Sequence, residues 1–199
     1  RRQMRVLNCN ACHGELDGFA KLDPIGLKLR PEWMQSILAG TLKQRPRPWL
    51  PHRMPAFPAR AKPLAQGLAQ AHGYAPRTVP EPAAVNAKLA EIGRQLVGVD
   101  GGFSCIACHG VKNREPLQVF EDGQGINFAQ VGARLQPEFM LRWMLDPQRV
   151  DRQTKMPDYF GEDARSVLVD VLEGDAKIQI EAIRQYLRQG NQMKIPAMQ

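Results

Sequence analysis

The sequence predicts an all-α protein of two tandem helical modules. Its 199 residues suit two domains of about 100 residues each. Apolar residues recur at helical spacing in VNAKLAEIGRQLVG, residues 85–98. All four cysteines lie in two copies of one short motif, and neither copy sits in an alternating strand and helix pattern. These observations favour one helical design used twice.

The internal repeat extends beyond the cysteines. CNACHG begins at residue 9, and CIACHG begins 96 residues later, at residue 105. IGLKLRPEWM, residues 25–34, aligns without gaps on VGARLQPEFM, residues 131–140, and shares Gly, Leu, Pro, Glu and Met with it. The second copy has ten more residues after its cysteine motif and four fewer before its later methionine. Such insertions belong in loops.

The CxxCH spacing is typical of covalent haem attachment. Two cysteines three residues apart on a helical turn share a face, so both sulfurs reach one small object. In c-type proteins two thioethers hold the porphyrin edge, and the adjacent imidazole reaches the iron. The sequence therefore predicts two covalently bound c-type haems. The predicted attachment and proximal residues are Cys9, Cys12, His13, Cys105, Cys108 and His109.

A zinc site and a redox dithiol are the alternatives for these cysteines. Structural zinc sites usually draw their second ligand pair from about 12 to 20 residues away, whereas these pairs are 96 residues apart. A thioredoxin-like CxxC needs a βαβ surround. Both alternatives therefore fit the chain less well than haem does.

Two methionines are candidates for the second iron ligand. Met54 lies in RMPAF, residues 53–57, and Met156 lies in KMPDYF, residues 155–160. Each follows its CxxCH motif and stands in a proline-bounded loop, which core packing does not require. A thioether is a soft, neutral ligand that favours ferrous iron. The sequence predicts that Met54 and Met156 bind the irons, with His52 as the rival of Met54.

The chain resembles the class I c-type cytochromes across both halves, on CxxCH, the MP loops and the PEW/PEF segments. The resemblance implies CxxCH on an N-terminal helix, a late methionine loop and a C-terminal helix around each haem. It also implies that a backbone carbonyl in GINF, residues 125–128, orients His109. FAKL, residues 19–22, fits that role less well in the first half.

The predicted elements follow the repeat. Helices are expected from Pro31 and Pro137, and over 62–73, 85–98 and 175–190, with Asp175 as a cap. We expect domain 1 over 1–77, a proline-rich linker over 78–84 and domain 2 over 85–199.

The three tryptophans are predicted to pack around haem, and Trp33 or Trp143 to donate to a propionate. Met34, Met140 and Met144 are interpreted as core residues, and His72 as a solvated charge partner of a helix C-terminus.

Charge and hydropathy restrict the partners. Residues 1–80 carry 13 Lys and Arg against 4 Asp and Glu, while residues 81–199 carry 14 against 16. The basic half suits an acidic redox partner. Nucleic acid is disfavoured, because the basic residues fall among prolines in QRPRPW, residues 44–49, without a recognition motif. Apolar stretches such as VLV, residues 167–169, are far shorter than the roughly 20 residues that span a bilayer.

The sequence favours an exported, periplasmic electron carrier over an enzyme. Covalent haem is attached outside the cytoplasm in c-type cytochromes generally, so export is implied. The alternative is a dihaem peroxidase or sulfur-compound oxidoreductase with one exchangeable haem ligand. The chain opens on Arg1 and Arg2, and we expect a processed protein or a piece of a larger respiratory or oxidoreductase complex.

Overall fold

The computed structural model describes residues 2–14, 16, 19, 21–22, 24–48, 52–78, 80–81, 84–118, 124–161 and 163–197. Within these ranges the chain is mostly helical and has no strand, only three isolated bridges. The helical class that the sequence predicts is confirmed. Three of the sequence predictions refer to residues outside the described ones: Trp49, Ala20 in the FAKL segment, and Val79, Pro82 and Ala83 in the predicted linker.

The first half is organised around two longer helices. Its described helices are α1 Arg2–Val6, α2 Asn10–His13, α3 Ile25–Lys28, α4 Pro31–Ala39 and α5 Pro58–Gln70. Pro31 occupies the first turn of α4, as predicted, where its missing N–H costs nothing. Gly40 ends α4 in the left-handed region, with φ of 72°. Helix α4 packs against α5.

Helix α5 begins earlier than the sequence predicts. It starts at Pro58, which sets the first turn, and therefore contains Pro63 in its interior. The Pro63 pyrrolidine removes the N–H that would bond the Ala59 carbonyl, whereas the sequence prediction begins the helix at residue 62. The helix ends at Gln70, and Gly73 follows with φ of 81°.

The second half is dominated by a pair of packed helices. Its α-helices are α6 Ala87–Val97, α7 Phe128–Arg134, α8 Pro137–Leu145, α9 Pro147–Val150 and α10 Ala176–Leu187. Short 3-10 helices cover Cys105–Ala107, Leu172–Gly174 and Gly190–Gln192. The predicted cap is confirmed, because the Asp175 carboxylate accepts the Ile178 N–H at 3.0 Å. Helix α10 ends three residues before Gly190, which instead opens the last 3-10 turn.

Helices α6 and α10 form the main contact of the second half. Gly93 faces α10 so closely that a Cβ there would lie 2.0 Å from the Ala182 carbonyl oxygen. The core around this contact includes Leu96, Ile183 and Tyr186, each at most 2% exposed. The Tyr186 hydroxyl donates to the Lys194 carbonyl at 2.7 Å, which satisfies its buried polar atom.

The repeated glycine of the PEW/PEF segments has the same role twice. A Cβ on Gly26 would lie 2.0 Å from the Leu68 carbonyl oxygen of α5. Its counterpart Gly132 would place a Cβ 2.8 Å from the Leu187 carbonyl oxygen of α10. Only glycine lets these short helices approach the last helix of their own half so closely. The repeat in sequence thus corresponds to a repeat in packing.

The chain divides into two compact units. The first comprises Arg1–Gln44 with His52–Pro80, and the second comprises Arg45–Pro51 with Glu81–Gln199. Within the first unit, the Thr78 N–H donates to the Glu32 carboxylate at 2.9 Å and the Thr78 hydroxyl donates to the same group. Within the second, Glu81 pairs with Arg184 and Arg188. Thr78 and Glu81, both in the predicted linker over 78–84, therefore contact different units.

Among the described residues, no helix combines the length and the apolar character needed to cross a membrane.

Candidate functional sites

The second CxxCH motif forms one tight turn. Cys105–Ala107 is a 3-10 helix, and the N–H groups of Cys108 and His109 both donate to the Cys105 carbonyl, at 3.2 and 3.0 Å. The motif follows α6, as the predicted helix over 85–98 requires, and does not lie on that helix as the resemblance implies. The glycines at 98, 101 and 102 separate the two elements, and Ser104 turns the chain with φ of 55°.

The methionine loop packs against this turn. Tyr159, three residues after Met156, lies beside both thiols of the motif. Burial raises the pKa of Tyr159 to about 12, and Cys105 and Cys108 add to the increase. Its ring lies 4.8 Å from that of Phe103, between centroids, and Phe160 packs on Phe103 at 5.4 Å. Residues 155–160 and the second CxxCH motif therefore form one site.

The cysteines of this turn are free thiols, as are those of the first motif. Burial raises the pKa of Cys105 to about 12, so this sulfur is a protonated thiol at neutral pH. Within the described ranges, no three His, Cys, Asp or Glu side chains converge as they would around a metal ion.

His109 is held by the GINF segment. Its Nδ1 lies 2.8 Å from the Ile126 carbonyl oxygen, which only accepts hydrogen bonds, so Nδ1 carries the proton. Burial lowers the pKa of the imidazole, which favours the neutral ring. The Phe128 ring stacks on the imidazole at 4.8 Å with an interplanar angle of 19°. Nε2 is then the nitrogen that carries a lone pair for a metal.

Gly125 also contacts this imidazole, and together with Ile126 and Phe128 it forms what we call the His109 seat. Its N–H donates to the Cys108 carbonyl at 2.8 Å. A Cβ at this position would lie 2.4 Å from His109 Nδ1 and 2.5 Å from Cε1. The histidine ring thus occupies the space that any side chain at residue 125 would need.

Met156 is held by a tryptophan. The indole N–H of Trp143, on α8, donates to the Met156 sulfur at 2.9 Å. A tryptophan has one N–H, and in this structure it donates to the thioether; donation by a tryptophan to a haem propionate stays a prediction. The Met156 N–H donates to the Thr154 hydroxyl at 3.2 Å.

The first CxxCH motif adjoins a cavity. Cys9 precedes α2, and the His13 N–H donates to the Cys9 carbonyl at 2.9 Å. The cavity has a volume of about 340 Å³. It is lined by Met4, Arg5, Asn10, His13, Gly14, Lys21 and Leu22. Its size is within the range of small-molecule sites.

The structure does not bring Met54 into that cavity lining. Met54 is 38% exposed. His52 is exposed as well, and its ring meets the edge of Phe19 at 5.2 Å between centroids. The same Phe19 ring meets His13 at 6.3 Å. Both candidates for the second ligand of the first site therefore stay predictions.

Three methionines and His72 have sequence predictions that the structure tests. Met34, Met140 and Met144 are core residues, at most 8% exposed, as expected. For His72 one half of the prediction is wrong and the other is confirmed: the ring is half-buried rather than solvated, but its Nδ1 lies 3.0 Å from the Leu68 carbonyl oxygen, in the last turn of α5. The close approach of α3 to α5 covers this ring, because a Cβ on Gly26 would touch it at 2.6 Å.

Sequence reasoning missed the roles of Gly125, Tyr159 and Trp143 in the second site. A signal for Trp143 existed in the repeat, because the matching residue of the PEWM segment is Ile37. A polar N–H at a position that the other copy fills with an aliphatic side chain points to a specific contact.

The donor set of the second site fits a c-type haem. Two free thiols, a neutral imidazole with its proton fixed on Nδ1, and a thioether are the groups that such a haem requires. Comparison with models of protein families, with curated proteins and with solved structures finds no match for this chain.

Proposed function

We propose that the protein is a dihaem c-type cytochrome that transfers single electrons between its haems and a redox partner. Each unit would be a cytochrome c-like helical domain around one covalent haem. The observation that carries this proposal is the His109 seat, in which the Ile126 carbonyl fixes the proton on Nδ1 beside two free thiols. A redox dithiol has no need of a fixed imidazole next to its cysteines. A zinc ligand would be fixed in the same way, but the second cysteine pair that a structural zinc site usually draws from nearby lies 96 residues away.

The residues of the second site have separable tasks in this proposal. Cys105 and Cys108 hold the haem through thioethers, while His109 Nε2 and the Met156 sulfur bind the iron. A bound haem supplies one-electron chemistry at that iron. The apolar rings of Phe103, Phe128 and Phe160, at most 5% exposed, exclude water from the site. A dry site lowers the reorganisation that accompanies each electron transfer.

Cys9, Cys12, His13 and Met54 would serve the first haem. The exposure of Met54 favours one alternative, a dihaem enzyme in which this iron keeps an exchangeable position. Peroxidase or sulfur-compound oxidoreductase chemistry needs such a position. Carbon monoxide binding by the reduced protein separates the two functions, because it requires a labile sixth ligand.

Haem attachment is the direct test. We expect the chain, produced in a periplasm with haem-attachment enzymes, to gain the mass of two haems. The Cys9→Ser/Cys12→Ser and Cys105→Ser/Cys108→Ser variants should each retain one haem, and the quadruple variant none. Ala11→Ser, between the first two cysteines, is the control and should keep both haems. A colourless wild-type protein of unmodified mass would refute the proposal.

An acidic redox partner is the second part of the proposal. The basic first half would steer such a partner by long-range attraction, which salt screens. We expect the bimolecular rate of electron exchange with an acidic redox protein to fall several-fold between about 0.01 and 0.15 M ionic strength. Exchange with a basic redox protein is the control and should not slow. A rate that does not depend on salt would contradict the steering.

The location follows from the chemistry. Because covalent haem is attached outside the cytoplasm, the protein would be periplasmic or otherwise exported. It could act alone or as the electron-transfer part of a larger complex, and electron transfer would be its task in both cases.

A further inference from the structure

The hydrogen bond between Trp143 and Met156 carries an inference about the second site. The bond joins the indole N–H to the thioether sulfur at 2.9 Å, across 13 residues of sequence. A neutral thioether is a weak acceptor. A backbone carbonyl would be a stronger acceptor for the indole N–H. The Trp143 N–H nevertheless donates to the sulfur of Met156, the predicted iron ligand.

Both partners are held in place independently of each other. Trp143 stacks on Phe139, one turn earlier on α8, with centroids 6.0 Å apart and planes 20° apart. The Met156 backbone is fixed through the Thr154 hydroxyl. Helix α8 also contributes Met140 and Met144 to the core. The indole is thus a donor on a rigid element, aimed at a loop residue.

The matching position of the repeat in the first half carries no tryptophan. The residue that matches Trp143 is Ile37, which has no side-chain donor. The residue that matches Met156 is Met54, which is 38% exposed. The tryptophan donor therefore distinguishes the second site from the first.

We propose that Trp143 is a positioning residue that orients the Met156 sulfur toward the second haem and raises the reduction potential of that haem. This inference rests on the proposed function. A thioether sulfur has two lone pairs, so one can accept the indole N–H while the other faces the iron. The hydrogen bond withdraws electron density from sulfur, and a weaker donor favours ferrous over ferric iron.

The test compares Trp143→Phe with the wild type in the haem-loaded chain. We expect the ferrous-to-ferric equilibrium of the second haem to shift about tenfold toward ferric, which is about 59 mV for one electron. The sulfur-to-iron charge-transfer band of the ferric protein should weaken. The first haem should keep its potential. Trp33→Phe, the same change in the first unit, is the control and should leave the second haem unchanged.

A second measurement covers the case in which Trp143→Phe distorts the site. In the reduced Met156→Leu protein, the Trp143 indole N–H should exchange with deuterium at least tenfold faster than in the wild type, while that of Trp33 does not change. An unshifted potential in a folded Trp143→Phe protein, or unaltered indole exchange in Met156→Leu, would overturn the inference. Failure of the proposed function is distinguishable, because the wild type would then carry no haem.

Discussion

Replacing Gly125 with alanine should remove the histidine ligand of the second haem while the haem stays attached. The new Cβ would lie 2.4 Å from His109 Nδ1, well inside van der Waals contact, so the imidazole must move. Movement breaks the 2.8 Å hydrogen bond to the Ile126 carbonyl that fixes the ring and its tautomer. Because the cysteines are untouched, the covalent haem should remain.

The expected result is a change in half of the haem signal. About one of the two haems should become high-spin and bind carbon monoxide when reduced, because an iron without a fixed imidazole has an open position. Overpacking of this kind costs about 1–3 kcal/mol, so the fold should survive. Absorption spectroscopy and electron paramagnetic resonance measure the spin states, and intact mass counts the haems.

The first haem is the internal control for this variant. Its spectrum should be unchanged, because Gly125 belongs to the second unit. Gly67→Ala is a second control, since a Cβ at that position meets nothing within 4 Å. A Gly125→Ala protein with two unchanged low-spin haems would contradict the seat that we assign to His109.

Local patterns were sufficient to predict much of the fold. Proline at the start of α4 and α8, the Asp175 cap of α10 and the apolar periodicity of α6 act within one or two turns of chain. Such signals can therefore be read directly from the residues of the helix itself. The internal repeat also predicted that residues 25–34 and 131–140 adopt matching structures. The carbonyl partner of His109 followed from the resemblance at GINF, and the Ile126 contact is present.

Contacts that depend on tertiary packing were not predicted. Tyr159 reaches the thiols, and Trp143 reaches Met156, only because a loop folds back onto the turn and α8. Neither contact has a fixed sequence spacing. The error at His72 has the same origin, since its burial depends on how closely α3 approaches α5. Sequence patterns thus indicate candidate ligands, whereas the surroundings of those ligands depend on tertiary packing.

Replacing Gly93 with alanine should destabilise the second unit by about 2 kcal/mol, near the middle of the range for overpacked cores. Alanine is the better helix former by about 1 kcal/mol, so intrinsic propensity alone predicts the opposite sign. Packing decides the result, because the Cβ would lie 2.0 Å from the Ala182 carbonyl oxygen and 2.5 Å from its carbon. Both atoms are backbone, so relief requires α6 and α10 to separate.

Gly67→Ala is the matched control, because it makes the same change in the interior of another helix, α5. With nothing within 4 Å of the new Cβ, only propensity acts, and we expect a gain of up to about 1 kcal/mol. Thermal unfolding followed by circular dichroism should show a midpoint lower by about 5 °C for Gly93→Ala and unchanged or higher for Gly67→Ala. If both variants gained stability, the close α6–α10 contact would be absent in solution, since that contact is the reason to expect a loss at residue 93.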